Sequence, residues 1–240
     1  MRMYVLSTSG FDKIQNTIYP DLNPDKIPDR YFLNENISYF DHFLPASTSF
    51  ANMIPMYIGD RPSERIHIIC DLHSWIRRNP PGLMYPVSVR FKELLEGFTL
   101  FYSRFYSGSV IWYEDGNPYT EKEYPYFVWH LLTDKDVELI DFSSSTFGNY
   151  EFITSSWESN EQIQVDGYKE LLEKKEALDW SDWGFRRAVM KPEFREIDAI
   201  SIHRYGIVIS ERLKEAIESA QLTNVSITPC PIEFEISDQI

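Results

Sequence analysis

Asp71-Leu72-His73 sets a carboxylate and an imidazole two positions apart, on one side of a strand, an arrangement that a metal ion could use. No third ligand is identifiable near it, and a lone Asp-x-His is usually a structural pair. The other histidines, at 42, 67, 130 and 203, share no spacing, so no metal and no organic cofactor is expected. His130 lies between Trp129 and Leu131 in an apolar run and reads as a hydrogen-bonded core histidine. The tract Ser143-Ser144-Ser145-Thr146 follows Asp141 without a base beside it, which is the composition of caps and turns. A nucleophile elbow, a phosphate loop, a dinucleotide fingerprint and a zinc-protease helix are all missing from the sequence. Carboxylates are so abundant that chance pairs must occur, and no pair stands out as general acid and base. No enzyme class stands out from these residues.

Recognition chemistry is better represented. Residues 112–126, Trp-Tyr-Glu-Asp-Gly-Asn-Pro-Tyr-Thr-Glu-Lys-Glu-Tyr-Pro-Tyr, interleave aromatics with acids around Asp115-Gly116, a hairpin-turn dipeptide. One reading packs the aromatics inward and leaves the acids in water. The other is a protruding surface that offers aromatic anchors and carboxylates to a basic partner. On that second reading the contact residues are Trp112, Tyr113, Glu114, Asp115, Tyr119, Glu121, Glu123 and Tyr124, with Glu158 and Glu161 from the acidic stretch that follows.

The charge is distributed to match. The 240 residues carry a net charge of −14, but residues 1–120 hold 13 acids and 11 bases while residues 121–240 hold 24 and 12. Such a surface repels nucleic acid. It suits solubility, or a partner with a basic surface steered in by the field. Hydrophobic content of 43% and aromatic content of 15% argue against disorder. The apolar runs are too short to span a membrane or to form a signal-peptide core. Cys70 and Cys230 read as reduced thiols. Together these features predict a cytosolic protein.

The elements that must position these residues begin with a repeat. Val87-Ser-Val-Arg-Phe-Lys-Glu-Leu-Leu-Glu96 and Ile209-Ser-Glu-Arg-Leu-Lys-Glu-Ala-Ile-Glu218 lie 122 positions apart and share five identities in ten. Ser88 and Ser210 can each cap a helix. Phe91, Leu94, Leu95 and Phe98 then form an apolar stripe at helical spacing, as do Leu213, Ala216, Ile217 and Ala220. Each copy predicts a strand edge, a serine cap and a short amphipathic helix, both packed on one mixed sheet system. Strands are expected over 3–6, 65–70, 99–113, 124–132, 137–142, 197–202, 206–209, 225–227 and 232–236. Prolines limit regular structure in 16–60, Asn79-Pro-Pro-Gly82 breaks the chain, a helix is expected over 167–178, and Trp180 to Gly184 reads as a turn. Gly206 allows a turn between two strands. Without regular β-α alternation the pattern favours an α+β fold with a mixed, mainly antiparallel sheet. One domain over 1–240 is expected, divisible into lobes at 1–150 and 151–240.

In order along the chain come the first Ser-x-Arg copy, a strand pair, Tyr126-Phe-Val-Trp-His-Leu-Leu-Thr-Asp-Lys-Asp-Val-Glu-Leu-Ile-Asp-Phe-Ser-Ser-Ser145, and the second copy with Leu222-Thr-Asn-Val-Ser-Ile227. This set resembles the bacterial polymorphic-toxin immunity proteins, whose helix of Val-Ser-x-Arg-x-Lys type leads into a Leu-Thr-Gly-Val strand. The resemblance covers roughly residues 85–230. Two positions depart from it: Asn224 stands where Gly is usual, and His130 where Asn is usual. It implies an antidote, without catalysis of its own, that binds and blocks a cognate toxin; the missing signal-peptide core adds the expectation that this toxin acts in the cytosol. The alternatives are an enzyme with its site in a cleft between the two halves, and a regulatory subunit that docks through its acidic face.

Overall fold

The computed structural model describes residues 1–8, 17–20, 43, 46, 49–56, 71–72, 74–75, 83–113, 121–133, 135–151 and 156–238. Its strands are β1 (Met3–Thr8), β2 (Thr17–Pro20), β3 (Phe50–Met56), β4 (Ser74–Trp75), β5 (Leu83–Ser88), β6 (Ser103–Tyr113), β7 (Glu121–Leu131), β8 (Thr146–Glu151), β9 (Ser156–Trp157), β10 (Trp183–Met190), β11 (Ala199–Ile202), β12 (Gly206–Ser210), β13 (Val225–Pro229) and β14 (Phe234–Ile236). Among the described residues the α-helices are α1 (Val89–Leu95), α2 (Tyr168–Ala177) and α3 (Glu211–Ala220). The fold is α+β, in mostly antiparallel sheets.

Both repeats form the predicted unit. Ser88 accepts the Phe91 N–H at 3.1 Å and Ser210 accepts the Leu213 N–H at 3.1 Å, so each serine satisfies an orphan donor of the helix it starts. Phe91 and Leu95 of α1, and Leu213 and Ile217 of α3, are buried, with Leu94 and Ala216 half-buried beside them. The equivalence extends to the lysine at the fourth position after each cap. Lys92 pairs with Glu96 and lies 4.8 Å above the Phe127 ring, while Lys214 pairs with Glu211 and Glu218 and lies 4.5 Å above Tyr4. Phe127 and Tyr4 are themselves equivalent, opposite Val87 and Ile209, the residues before the two serines.

The copies sit on separate sheets, not on one. β5 ends the six-stranded order β4-β2-β3-β6-β7-β5, and β12 is inside the order β11-β12-β1-β13. Leu72 pairs with Val87 of β5, and two residues later β4 pairs with Thr17 and Ile18 of β2, so the six-stranded sheet returns on itself. The local order is the same in both: Leu72, β5, β7, β6 in the first and β11, β12, β1, β13 in the second. In the first unit β6 and β7 follow α1 in sequence. In the second, β13 follows α3 but the fourth strand comes from β1, at the other end of the chain.

Two aspartates join the units. Asp71 accepts the Ser88 hydroxyl at 2.5 Å and the backbone N–H of Thr223, beyond α3, at 2.8 Å. Asp198 accepts the Ser210 hydroxyl at 2.7 Å and the backbone N–H of Thr99, beyond α1, at 2.9 Å. Each carboxylate therefore fixes the cap of its own unit and the helix exit of the other. Arg212 adds an ion pair to Asp198. Between the units lies one core of Tyr4, Leu6, Phe91, Trp129, Ile209 and Leu213 with their neighbours.

The second core lies on the other face of the β11-β12-β1-β13 sheet and joins it to the order β14-β10-β8-β9 through Phe147, Trp183, Phe185, Phe194 and Phe234. Ile207, Val208 and Ile209 are all buried because that sheet is covered on both faces, which explains an unbroken apolar run where alternation would be usual.

Two further expectations need correction. Residues 137–142 are not a strand: Asp136–Glu138 form a 3-10 turn, and only Ile140 bridges Met190. The buried Asp136 carboxylate holds this turn by accepting the His203 N–H at 2.9 Å. Trp183 and Gly184 belong to β10, and the turn ends before them, with Asp179 at φ 54°. Gly184 faces Gly148 across the β8–β10 ladder, and a Cβ on Gly184 would lie 3.1 Å from Tyr150 and 3.2 Å from Trp157. Glycine thus admits the aromatic pair that closes the ladder. Gly206, at φ 74°, makes the expected turn, and Asn224 adopts φ 58°, the left-handed conformation that the usual glycine would take. The expected strand 65–70 and break 79–82 lie outside the described residues.

Asp71→Ala and Asp198→Ala should each lower the unfolding free energy by about 2 kcal/mol, because each leaves a capping hydroxyl and a backbone N–H of the other unit without their acceptor. Ser88→Ala and Ser210→Ala should cost about 1 kcal/mol. Burial works to raise the Asp198 carboxyl, but Arg212, the Thr99 N–H and the Ser210 hydroxyl outweigh it and hold the group below the usual carboxylate range. Its contribution is therefore complete above that range and is lost as pH falls through it. Urea titrations at neutral and acid pH check both statements.

Candidate binding surface

The hairpin predicted around residues 112–126 is built on β6 and β7, whose register is continuous from Ser103 opposite Leu131 to Tyr113 opposite Glu121. Trp112 stands opposite Lys122, Glu123 opposite Ile111, and Tyr124, half-buried, opposite Val110. Glu114, Asp115 and Tyr119 lie outside the described residues. Of the ten residues singled out from the sequence, this strand pair gathers Trp112, Tyr113, Glu121, Glu123 and Tyr124.

Glu158 and Glu161 are elsewhere. They follow β9, which pairs with the end of β8 at the edge of the other sheet. Both are exposed. Tyr150 and Trp157 meet edge to face at 5.0 Å, and the Arg186 guanidinium lies 3.8 Å from the Trp157 ring and donates to the Ser159 carbonyl. The turn that carries the two glutamates is thus clamped by an arginine from β10, on the far side of β8.

Residues 156–182 form the most acidic layer around that turn, with eight acids and three lysines. Every lysine is engaged locally: Lys169 with Glu173 at 3.6 Å, Lys174 with Glu170 at 2.8 Å, and Lys175 with Asp182 at 4.0 Å. Glu161, Glu176 and Asp179 are exposed and form no ion pair among the described residues, and Glu158 accepts only the Ser181 hydroxyl at 3.1 Å. Helix α2 buries Leu171 and leaves Leu172 about two-fifths exposed among these acids, with Leu178 just past its end equally so. An apolar side chain rimmed by carboxylates is the composition of a contact surface for a basic partner.

Asp182, buried beneath this layer, is a hub that sequence spacing did not reveal. It accepts the Trp183 N–H at 2.8 Å, pairs with Arg204, and lies 3.4 Å from His203 Nε2. The His203 ring stacks on Trp183 at 4.2 Å, nearly parallel. Lys175, His203 and Arg204 around one carboxylate tie α2, β10 and the β11–β12 turn together. Asp71 is likewise committed to Ser88 and Thr223, the structural role expected for a lone Asp-x-His; His73 lies outside the described residues. The Ser143–Ser145 tract caps and turns as expected: Asp141 accepts the Ser143 hydroxyl at 2.8 Å, and Ser145 exchanges hydrogen bonds with the backbone of Val189. Among the described residues no cluster of His, Cys, Asp and Glu has metal-binding geometry, and Cys230 is a free thiol. No helix is long and apolar enough to cross a membrane.

His130 is fully buried on β7, yet neither ring nitrogen finds a hydrogen-bond partner, which corrects the expectation of a bonded core histidine. Phe43 meets it edge-on at 5.5 Å. Burial, and then the Arg104 charge, push its pKa down to about 4. A histidine lowered on folding takes up its proton more readily in the unfolded chain, so stability is full above the ordinary value near 6.5 and falls as pH drops from there to about 4. The loss should reach about 3 kcal/mol over that interval. His130→Leu should flatten this slope in urea titrations; a variant as acid-sensitive as the wild type would place the titration elsewhere.

The chain matches no protein-family model and has no significant similarity to any curated protein.

Proposed function

We propose that this protein is an immunity protein, an inhibitor that binds a cognate bacterial toxin domain in the cytosol and blocks a basic surface on it. The observation that carries this reading is the acidic layer of residues 156–182, whose three lysines are all paired locally while Glu158, Glu161, Glu176 and Asp179 face solvent. A field of that sign attracts a basic domain and raises its association rate. The exposed Leu172 supplies an apolar contact within the same surface. The strand pair β6–β7 with Glu121 and Glu123 is a second acidic element, on a separate sheet. The ordered resemblance of residues 85–230 to immunity proteins points the same way, on its motifs alone and without a family match.

The test first asks whether a toxin domain is encoded beside the gene for this chain, and then takes that domain as the binding partner. Its association rate should fall steeply between about 0.1 M and 1 M salt, as the Debye length shrinks from about 10 Å to about 3 Å. Glu158→Lys with Glu161→Lys should slow association without altering the melting temperature, because exposed charges contribute little to folding. Leu172→Ala should instead speed dissociation, by an amount worth about 2 kcal/mol if the leucine is a hot spot. Reversal of Glu121 and Glu123 measures the contribution of the strand pair separately. Association that ignores both salt and all four reversals would remove the electrostatic basis of the proposal.

A further inference from the structure

Beside the acidic layer lies a cleft of about 570 Å³, formed where residues 140–143, the chain leaving β10 and the approach to α2 meet. Backbone bonds tie its walls together. The Asp141 N–H donates to the Val189 carbonyl at 2.9 Å, the Lys191 N–H to the Leu139 carbonyl at 2.7 Å, and the Ser237 N–H to the Met190 carbonyl at 2.7 Å. A site held in this way needs little reordering to receive a ligand. The Gln164 amide donates to the Ser143 carbonyl, and the Lys174 ammonium to the Gln164 carbonyl at 3.1 Å, so the cleft and the layer on α2 form one surface.

The lining combines apolar and anionic groups. Ile140, Phe142 and Pro192 supply apolar surface, while Asp141, Asp166 and Glu193 set three carboxylates against the one ammonium of Lys191. That ammonium is drawn to the Glu138 carbonyl, 2.7 Å away. Asp166 and Glu193 are exposed, and neither pairs with a cation among the described residues. Asp141 is half-buried. Burial works to raise its carboxyl, but hydrogen bonds from Ser237, Ser143 and Ser144 outweigh it and hold the group below the usual carboxylate range, so its charge is kept.

We propose that this cleft receives an arginine side chain of the inhibited domain. The proposal rests on the inhibitor reading and deepens it, by naming the side chain that the acidic surface selects. The aliphatic stem of an arginine suits the apolar walls. Its flat guanidinium carries donors that point several ways, and so can address carboxylates from different elements, Asp166 before α2 and Glu193 after β10. A lysine concentrates its charge at one point and is more strongly hydrated, so it gains less from such a cleft. Contact with the walls also removes water from the guanidinium, which strengthens its attraction to the acids.

The test begins with the full chain alone. Acetyl-arginine amide should shift the backbone NMR resonances of Ser143, Lys191 and Ser237 in a saturable way, with half-saturation at about 1 mM. Acetyl-lysine amide should bind more weakly, and acetyl-norleucine amide should cause no saturable shift. Asp166→Asn with Glu193→Gln, which alters exposed groups that contribute little to folding, should weaken the arginine probe about tenfold or more. In the complex with the toxin domain, the same double variant should raise the dissociation rate about tenfold. The proposal is overturned if the arginine probe gives no saturable shift, if lysine or norleucine binds as tightly, or if the double variant keeps the probe. It is equally overturned if the double variant leaves dissociation from the toxin domain unchanged; association that remains salt-sensitive in that case leaves the inhibitor reading standing. Association that ignores salt removes the inhibitor reading, and the proposal with it.

Discussion

Two buried carboxylates, Asp71 and Asp198, each hold a helix cap in one unit and a chain exit in the other, and the rest of the structure is arranged around that reciprocity. A serine cap needs only its own helix. Here the cap hydroxyl also donates to an aspartate whose second oxygen binds the far unit, so neither helix can shift along its axis without breaking a bond in both sheets. Burial makes these bonds matter, because a carboxylate removed from water and left short of donors costs more than a lost surface contact. The hydrophobic core between the units supplies most of the burial, and the aspartates supply the register in which Phe91, Leu95, Leu213 and Ile217 meet.

The same reciprocity explains how the second unit takes its fourth strand from the opposite end of the chain. β1 is bonded to β12 on one side and β13 on the other, which places residues 3–8 where β7 stands in the first unit. The first sheet has no such substitution and instead closes on itself through residues 72–75. Closure pairs the two ends of the first sheet, whereas among the described residues the second sheet ends at β11 and β13.

The acidic surface is a separate layer laid on this frame. Its carboxylates lie on the β9 turn, on α2 and just beyond, elements that bury few side chains, so sequence there is free to follow charge. What fixes the layer is beneath it: Asp182 with Lys175, His203 and Arg204, and the Arg186–Trp157 clamp. Rigid support under exposed carboxylates keeps their field oriented, which is what steering of a basic partner requires.

The serine-capped helices were legible in the sequence by itself, because a cap and a helical apolar stripe are local and need no partner. The excess of acid in the second half was equally plain, as were the exposed helix at α2 and the turn at Gly206. What the sequence could not settle was which sheet each copy would join, since a strand's neighbours are chosen by contacts across the whole chain. The β8–β10 ladder was hidden for a related reason: Gly148 and Gly184 lower strand propensity locally, and only the packing of Arg186, Tyr150 and Trp157 against them makes glycine fit there. Residues 137–142 alternate like a strand, but a buried bond from Asp136 to the distant His203 turns them aside. The two tie aspartates and the unpaired His130 carry no local signature at all. Asp71, Asp182 and Asp198 are among many carboxylates in the sequence, and only the tertiary structure, by burying them beside specific donors, separates them from those left in water.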